Sequence, residues 1–205
     1  MRKLTSLLLL LSCSFSVSAA VVWVPTDTVT RTETFNNIAG LTNQPVGSTL
    51  TIGDLKNTTG DLYKYTFTYL GQESGFNNIF RLTVNGIALL ESDPVGTFKS
   101  VVSSDQFLSF NFEGNTGKFA INGGAKDPST SIGLLEPKTV TSGAAAGTYA
   151  FILGYNDSAG AAKLGDWDDF VVGVNVTPVP EPEAYGLALA GMGVVGYFYR
   201  RRRDR

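Results

Sequence analysis

Asp61–Leu70 reads DLYKYTFTYL, and its pattern decides the fold class. Tyr63, Tyr65, Phe67 and Tyr69 fall on one side of an extended chain, with Lys64, Thr66 and Thr68 on the other. That period of two belongs to a strand, in residue types that suit a pleated, half-buried surface. The aromatic side must be covered by a second layer, so it is read as a core face rather than a ligand platform. Downstream, Phe80, Leu82 and Val84 alternate with Arg81 and Thr83 up to Asn85-Gly86, and Ile87 to Leu90 follows. Asn-Gly between apolar runs predicts a hairpin, because both central turn residues need positive φ. QFLSFNF, EGNTG and KFAIN predict a second one, turned on Gly114 and Gly117. Thr148 to Leu153 (TYAFIL) and Asp169 to Val176 (DFVVGVNV) are later strand candidates on either side of a turn-rich segment.

No 3.6-residue periodicity precedes Glu183, apart from a candidate single turn at Ala144 to Ala146. Many short strands punctuated by Gly and Asn predict an all-β fold, a β-sandwich or jelly-roll-like single domain over residues 21–177. The 23 glycines form no phosphate-binding loop, and no repeat of solenoid or propeller length is present.

The N-terminus reads as a processing segment. Arg2 and Lys3 form a positive region, Leu4 to Leu11 an apolar one, and Val17-Ser18-Ala19 supplies small residues for cleavage. Residues 1–20 are therefore expected to be a secretory signal peptide removed by signal peptidase after Ala19 or Ala20. An alternative is that Leu10-Leu11-Ser12-Cys13 acts as a lipoprotein box and leaves Cys13 lipidated. Cys13 is the one cysteine, so on either reading the mature domain has no disulfide and rests on packing and hydrogen bonds. Between Val21 and Val179 stand nine basic and fifteen acidic residues, a body about 6 charges negative. That balance argues against nucleic-acid binding, which needs a basic surface, and suits solubility outside the cell.

The chain closes on VPEPEAYGLALAGMGVVGYFYRRRRDR. Val179-Pro180-Glu181-Pro182, then an apolar helix over 184–199 and a basic tail led by Arg200, Arg201, Arg202 and Arg203, resembles the PEP-CTERM sorting signal of exopolysaccharide-producing Gram-negative bacteria. The resemblance covers residues 178–205. It implies recognition by an exosortase, a membrane protease-transferase acting near the Pro-Glu-Pro, and delivery to the cell surface or the extracellular polymer. As a helix, 184–199 would span about 24 Å, short of the roughly 30 Å hydrocarbon core. A short transmembrane helix is nevertheless expected, with Tyr197 to Tyr199 at an interface and the arginines in the cytoplasm as a transient inner-membrane anchor. Gly186, Gly191, Gly193 and Gly196 would let another helix pack closely. The alternative is a plain anchor that stays attached. Tyr69–Asn78 and Leu164–Val172 loosely resemble stretches of a β-rich domain, of unsettled biochemical function, found in such surface proteins.

One constellation offers chemistry. Asp166, Asp168 and Asp169, with Asp157 upstream, place several carboxylates in one loop region, and Ca2+ takes six to eight oxygen ligands. Glu73, Asn77 and Asn78 would complete a shell if the fold brought their loop alongside. No EF-hand loop is present, and the alternative is turn-forming acids ahead of a buried strand. Trp167, amid these acids, is a candidate to stack on a sugar ring, or else a lid on the core. With no histidine and no mature cysteine, Ser-His-Asp and Cys-His nucleophiles and His/Cys zinc sites are excluded. The expectation is a non-catalytic, exopolysaccharide-associated surface or biofilm-matrix protein; the alternative is a calcium-dependent or carbohydrate-binding module.

Overall fold

The computed structural model describes residues 20–31, 38, 40, 41, 46–83, 86–114, 117–126, 130–136, 138–157, 167–180 and 182–203. The signal segment with Cys13, and residues Val84, Asn85, Asp166 and Glu181, lie outside the described residues. The fold is mostly β and antiparallel, with one C-terminal helix. The larger strands are β1 (Val21–Thr30), β2 (Thr49–Asn57), β3 (Tyr63–Gly71), β4 (Ile79–Leu82), β5 (Ile87–Leu90), β6 (Phe98–Ser103), β7 (Phe110–Glu113) and β8 (Phe119–Ile121). They continue with β9 (Ser131–Leu134), the short pair β10 (Thr139–Val140) and β11 (Gly147–Thr148), β12 (Phe151–Asn156) and β13 (Phe170–Pro178), before α1 (Pro182–Arg203). One sheet runs β1-β2-β9-β12-β13-β3-β6, and a smaller one runs β5-β4-β7-β8.

The alternation in β3 does what its pattern predicts: Tyr63, Tyr65, Phe67 and Tyr69 are buried, Lys64 is exposed, and Thr66 and Thr68 are half-buried. Their rings meet those of the small sheet, Phe67 lying 4.7 Å from Phe80 and 5.5 Å from Phe110 between centroids. Phe112 stacks on Tyr155 of β12 at 5.3 Å, with the rings 7° from parallel. The two sheets thus share an aromatic core, in which each ring pair adds about 1 kcal/mol to simple area burial. The predicted β4–β5 hairpin is present, with Gly86 at φ 64°. Its strands end earlier than the pattern suggested, since Leu82 pairs directly with Ile87 and leaves four residues in the loop. The β7–β8 hairpin closes through Gly114 N–H donating to Lys118 O (2.7 Å), with Gly117 at φ 74°.

The far face of the large sheet is buried as well. Phe151, Leu153 and Tyr155 of β12 point into the aromatic core, while Ile152 belongs to a second cluster with Leu50, Leu70, Leu135, Tyr149, Trp167 and Val171. Burial on both faces explains why β12 and the first half of β13 read as continuous apolar runs rather than alternating ones.

The β1–β2 hairpin joins the two layers. Its register shifts between Pro25 and Asp27, opposite Gly53. A Cβ built on Gly53 would run into the Val24 carbonyl oxygen, so only glycine allows this close crossing. Before the bulge, Thr51 and Ile52 pair with β9. Beyond it, β2 is held by the end of the small sheet. Asn122 accepts from Leu55 N–H through Oδ1 (2.7 Å), and its Nδ2 donates to Leu55 O (2.9 Å) and Leu108 O (3.1 Å). Gly123 N–H and Lys126 Nζ both donate to Asp54 Oδ1, at 2.8 and 2.9 Å. A strand that changes layers at a bulge is a known way to turn the corner of a two-sheet fold.

Candidate functional site

Both ends of the folded body leave from one five-residue loop. Thr58 donates to Ala20 O through its backbone N–H (2.7 Å) and its hydroxyl (3.0 Å), which fixes the start of β1 at the first residue of the loop. At the other side, Pro178 pairs with Tyr63 and Val179 N–H donates to Leu62 O (2.9 Å), which fixes the end of β13 at the last residue. Between them Gly60 takes φ 76°. The loop is organised by Asn57, which is 3% exposed. Its Oδ1 accepts from the N–H groups of Thr59 (3.2 Å) and Gly60 (3.1 Å), and its Nδ2 donates to Asp61 O (2.9 Å) and Ser104 O (3.3 Å). An asparagine side chain that mimics backbone in this way makes a short, rigid turn.

Pro180 follows the last sheet-bonded residue directly, and α1 starts at Pro182, the position where a fixed φ and a missing N–H are best tolerated. No linker therefore separates the Pro-Glu-Pro from the body. In α1 the described side chains are exposed, and Gly186, Gly191, Gly193 and Gly196 face open space. Arg200, Arg201 and Arg202 cluster in its last turns, where cations complement the negative end of the helix dipole. The order of these parts is that of a protein-sorting signal, and a family model matches it over residues 178–203.

Residues 178–203 are a PEP-CTERM protein-sorting motif.

The PEP-CTERM motif implies processing by an exosortase and a surface or secreted destination. No curated protein and no solved structure matches the chain. The structure corrects one expectation about the motif. Among the described residues, no helix is long and apolar enough to cross a membrane, so the short transmembrane helix expected over 184–199 is not supported. Four glycines lower the hydropathy of the segment, and its last turns are arginine.

The acidic loop region lies at the opposite end of β13 from the PEP-CTERM junction. The fold does bring the Gly71–Asn78 segment alongside it, through Glu73 N–H donating to Asp168 O (2.9 Å) and Asn78 Nδ2 donating to Asp169 O (3.2 Å). Asp157, Asp168 and Asp169 are buried, at 8%, 1% and 6% exposure. The Asp157 and Asp169 carboxylates accept hydrogen bonds within the protein. Asp157 Oδ2 accepts from Ser74 Oγ (2.8 Å) and Asn78 Nδ2 (2.7 Å), and Asp169 Oδ2 accepts from Asp157 N–H (2.7 Å). This arrangement pins three segments together. Among the described residues no group of three or more acidic side chains is placed to hold a metal ion, and Asp166, the fourth calcium candidate, lies outside them. Nearby Glu91 accepts from Asn78 N–H (2.7 Å). Burial pushes its carboxyl above the usual range, the Asn78 bond opposes that rise, and the Asp157 charge adds to it.

Trp167 is 1% exposed and sits in the core, as in the lid alternative to sugar stacking. Its Nε1 donates to Ser131 Oγ (2.9 Å), its ring lies against Gly133, and its carbonyl and Cβ lie against Gly154 in the neighbouring strand. A Cβ on Gly133 would come within 2.8 Å of Trp167 Cδ1, and one on Gly154 within 2.9 Å of Trp167 Cβ. Gly133 makes room for the indole, and Gly154 for the backbone that carries it. The acids flanking Trp167 suggested an exposed residue; the useful signal was Gly133 and Gly154, far away in sequence.

Proposed function

We propose that the protein is a non-catalytic surface component, a β-sandwich body exported by its signal peptide, processed by exosortase at the PEP-CTERM motif and retained in or on the extracellular polymer. The observation that carries this reading is the PEP-CTERM match at 178–203, attached without a linker to the last strand of the body. The uneven split into seven and four strands favours a β-sandwich over a jelly roll of two four-stranded sheets. Absence of histidine from the whole chain, and of cysteine after Cys13, removes the Ser-His-Asp and Cys-His nucleophile systems and supports a non-catalytic role. The Asp157 and Asp169 carboxylates tie loops together, and Trp167 fills the core, so neither favours the calcium or carbohydrate alternative.

The test compares the protein's distribution in its host with and without the exosortase gene. The proposal expects the protein in the polymer and surface fractions of the parent and its loss from those fractions in the deletion strain. An identical distribution in both would refute it.

A further inference from the structure

The two layers do not match in length. Strands of nine residues in the large sheet extend about 30 Å, whereas the three- and four-residue strands of the small sheet extend about 13 Å. The small sheet therefore leaves part of the large sheet's inner face uncovered, at the end that carries Tyr63, Phe151 and Val176. Past the bulge, the β1–β2 hairpin arches over this end and leaves a cleft of about 570 Å³. Tyr63, Leu134, Phe151 and Val176 line it from the large sheet, and Trp23 lines it from β1. The volume lies within the range of ligand pockets, roughly 300 to 1,000 Å³, which are apolar with few polar groups.

We propose that this cleft binds a single acyl chain carrying an anionic head group. Among the described residues its walls are aliphatic and aromatic side chains, with no amide or carboxylate side chain to meet the many hydroxyls of a sugar. Among the described lining residues one is charged, Lys138, whose ammonium sits 5.3 Å from the centroid of the Phe151 ring. Its ion pair is with Glu136 at 3.6 Å, a loose contact whose carboxylate is 60% exposed. An incoming carboxylate or phosphate can compete for that ammonium while its chain displaces water from the apolar walls. The position of the cleft indicates the source. Ala20 and Pro178 both line it, so the signal peptide and the PEP-CTERM motif leave the body at its rim. On the sorting proposal, this is the end that faces the membrane during export. The choice of lipid as source rests on the sorting proposal, whereas the chemistry of the lining does not.

The test uses the protein as its host exports it, free of detergent, titrated with the fluorescent probe dansyl-undecanoic acid. The proposal expects saturable one-to-one binding that palmitate or lysophosphatidylglycerol displaces and dodecyltrimethylammonium does not. Preference for palmitate identifies a free fatty acid as the source, and preference for the lysolipid a membrane phospholipid. Lys138→Glu, a change at the partly exposed rim, should weaken the anionic ligands by about tenfold or more and leave dodecanol nearly unchanged. Val176→Trp fills the cleft and should abolish binding of all four, with an unchanged urea midpoint for Lys138→Glu serving as the folding control. Absence of saturable binding overturns the proposal. So does equal affinity for the cationic and anionic amphiphiles, or binding indifferent to Lys138→Glu. Because binding is read on purified protein, failure here leaves the sorting proposal standing, and a failure of sorting leaves this measurement valid.

Discussion

Asn122→Ala is the most informative single change to the body, since this one side chain joins the β1–β2 hairpin to the small sheet. Asn122 is 4% exposed and Leu55 is 1% exposed, so the Leu55 N–H and C=O that the amide serves have no route to water. Truncation orphans both groups and weakens the satisfaction of Leu108 O. An orphaned buried polar group costs about 1 to 3 kcal/mol, which gives an expected loss of about 3 kcal/mol, a large share of the stability of a domain this size. Urea unfolding followed by tryptophan fluorescence should show the midpoint falling while the slope stays the same. Asn122→Asp sharpens the test. The carboxylate can still accept from Leu55 N–H, but it presents oxygen to Leu55 O and Leu108 O and carries charge into a buried site near Asp54. It should cost more than alanine at neutral pH and recover part of the loss in acid, where it protonates and regains a donor. A loss below about 1 kcal/mol for alanine, or an aspartate variant as stable as wild type at pH 7, would refute the claim that this amide ties the layers together.

Three further perturbations probe the core, the phenols and the C-terminal junction. Gly154→Ala drives a Cβ into the Trp167 carbonyl and should destabilise the protein by about 3 kcal/mol, while quench accessibility of Trp167 rises; a neutral effect would mean that the Trp167 backbone does not pack this closely on β12. Tyr65 and Tyr69 have pKa values raised from 10.0 to about 12, chiefly by burial. Because the folded value lies above the unfolded one, their contribution to stability is complete below pH 10 and is lost as pH rises through about 12, so ultraviolet titration of the folded protein should leave these two phenols un-ionised well after the exposed ones. All tyrosines ionising together near pH 10 in folded protein would contradict this. Insertion of a flexible four-residue linker after Val179 should speed processing in pulse-chase experiments, because the Pro-Glu-Pro would no longer require fraying of the Val179–Leu62 bond before it enters a protease; an unchanged or slower rate would show that the tether does not limit cleavage.

Local pattern carried the strands well and the layers poorly. The period-two row Tyr63, Tyr65, Phe67 and Tyr69, both hairpins and the apolar run at Phe170 were legible because each depends on neighbours in sequence. The β4 strand ends at Leu82 rather than Val84, since the tertiary register, not the dipeptide, sets the loop length. The layer crossing at Pro25 and Gly53, the Asn122 clasp and the slot for Trp167 depend on pairs separated by many residues, and nothing in the local pattern marks them. Asp157 and Asp169 show the same limit. As a string they suggest a cation site, whereas in the fold they accept hydrogen bonds from Ser74, Asn78 and the Asp157 backbone, a use that only tertiary proximity reveals. The PEP-CTERM motif stands apart, because its address is read as a linear order of parts and needs no fold to be legible.

The central claim is that the segment after the Pro-Glu-Pro is an address, removed before the protein does its work. Intact-mass and C-terminal peptide analysis of the protein recovered from its native host tests it most directly. The account predicts a C-terminus at or near Val179–Pro182, with α1 and Arg200 to Arg203 absent. A mature chain that still carries those arginines would contradict it.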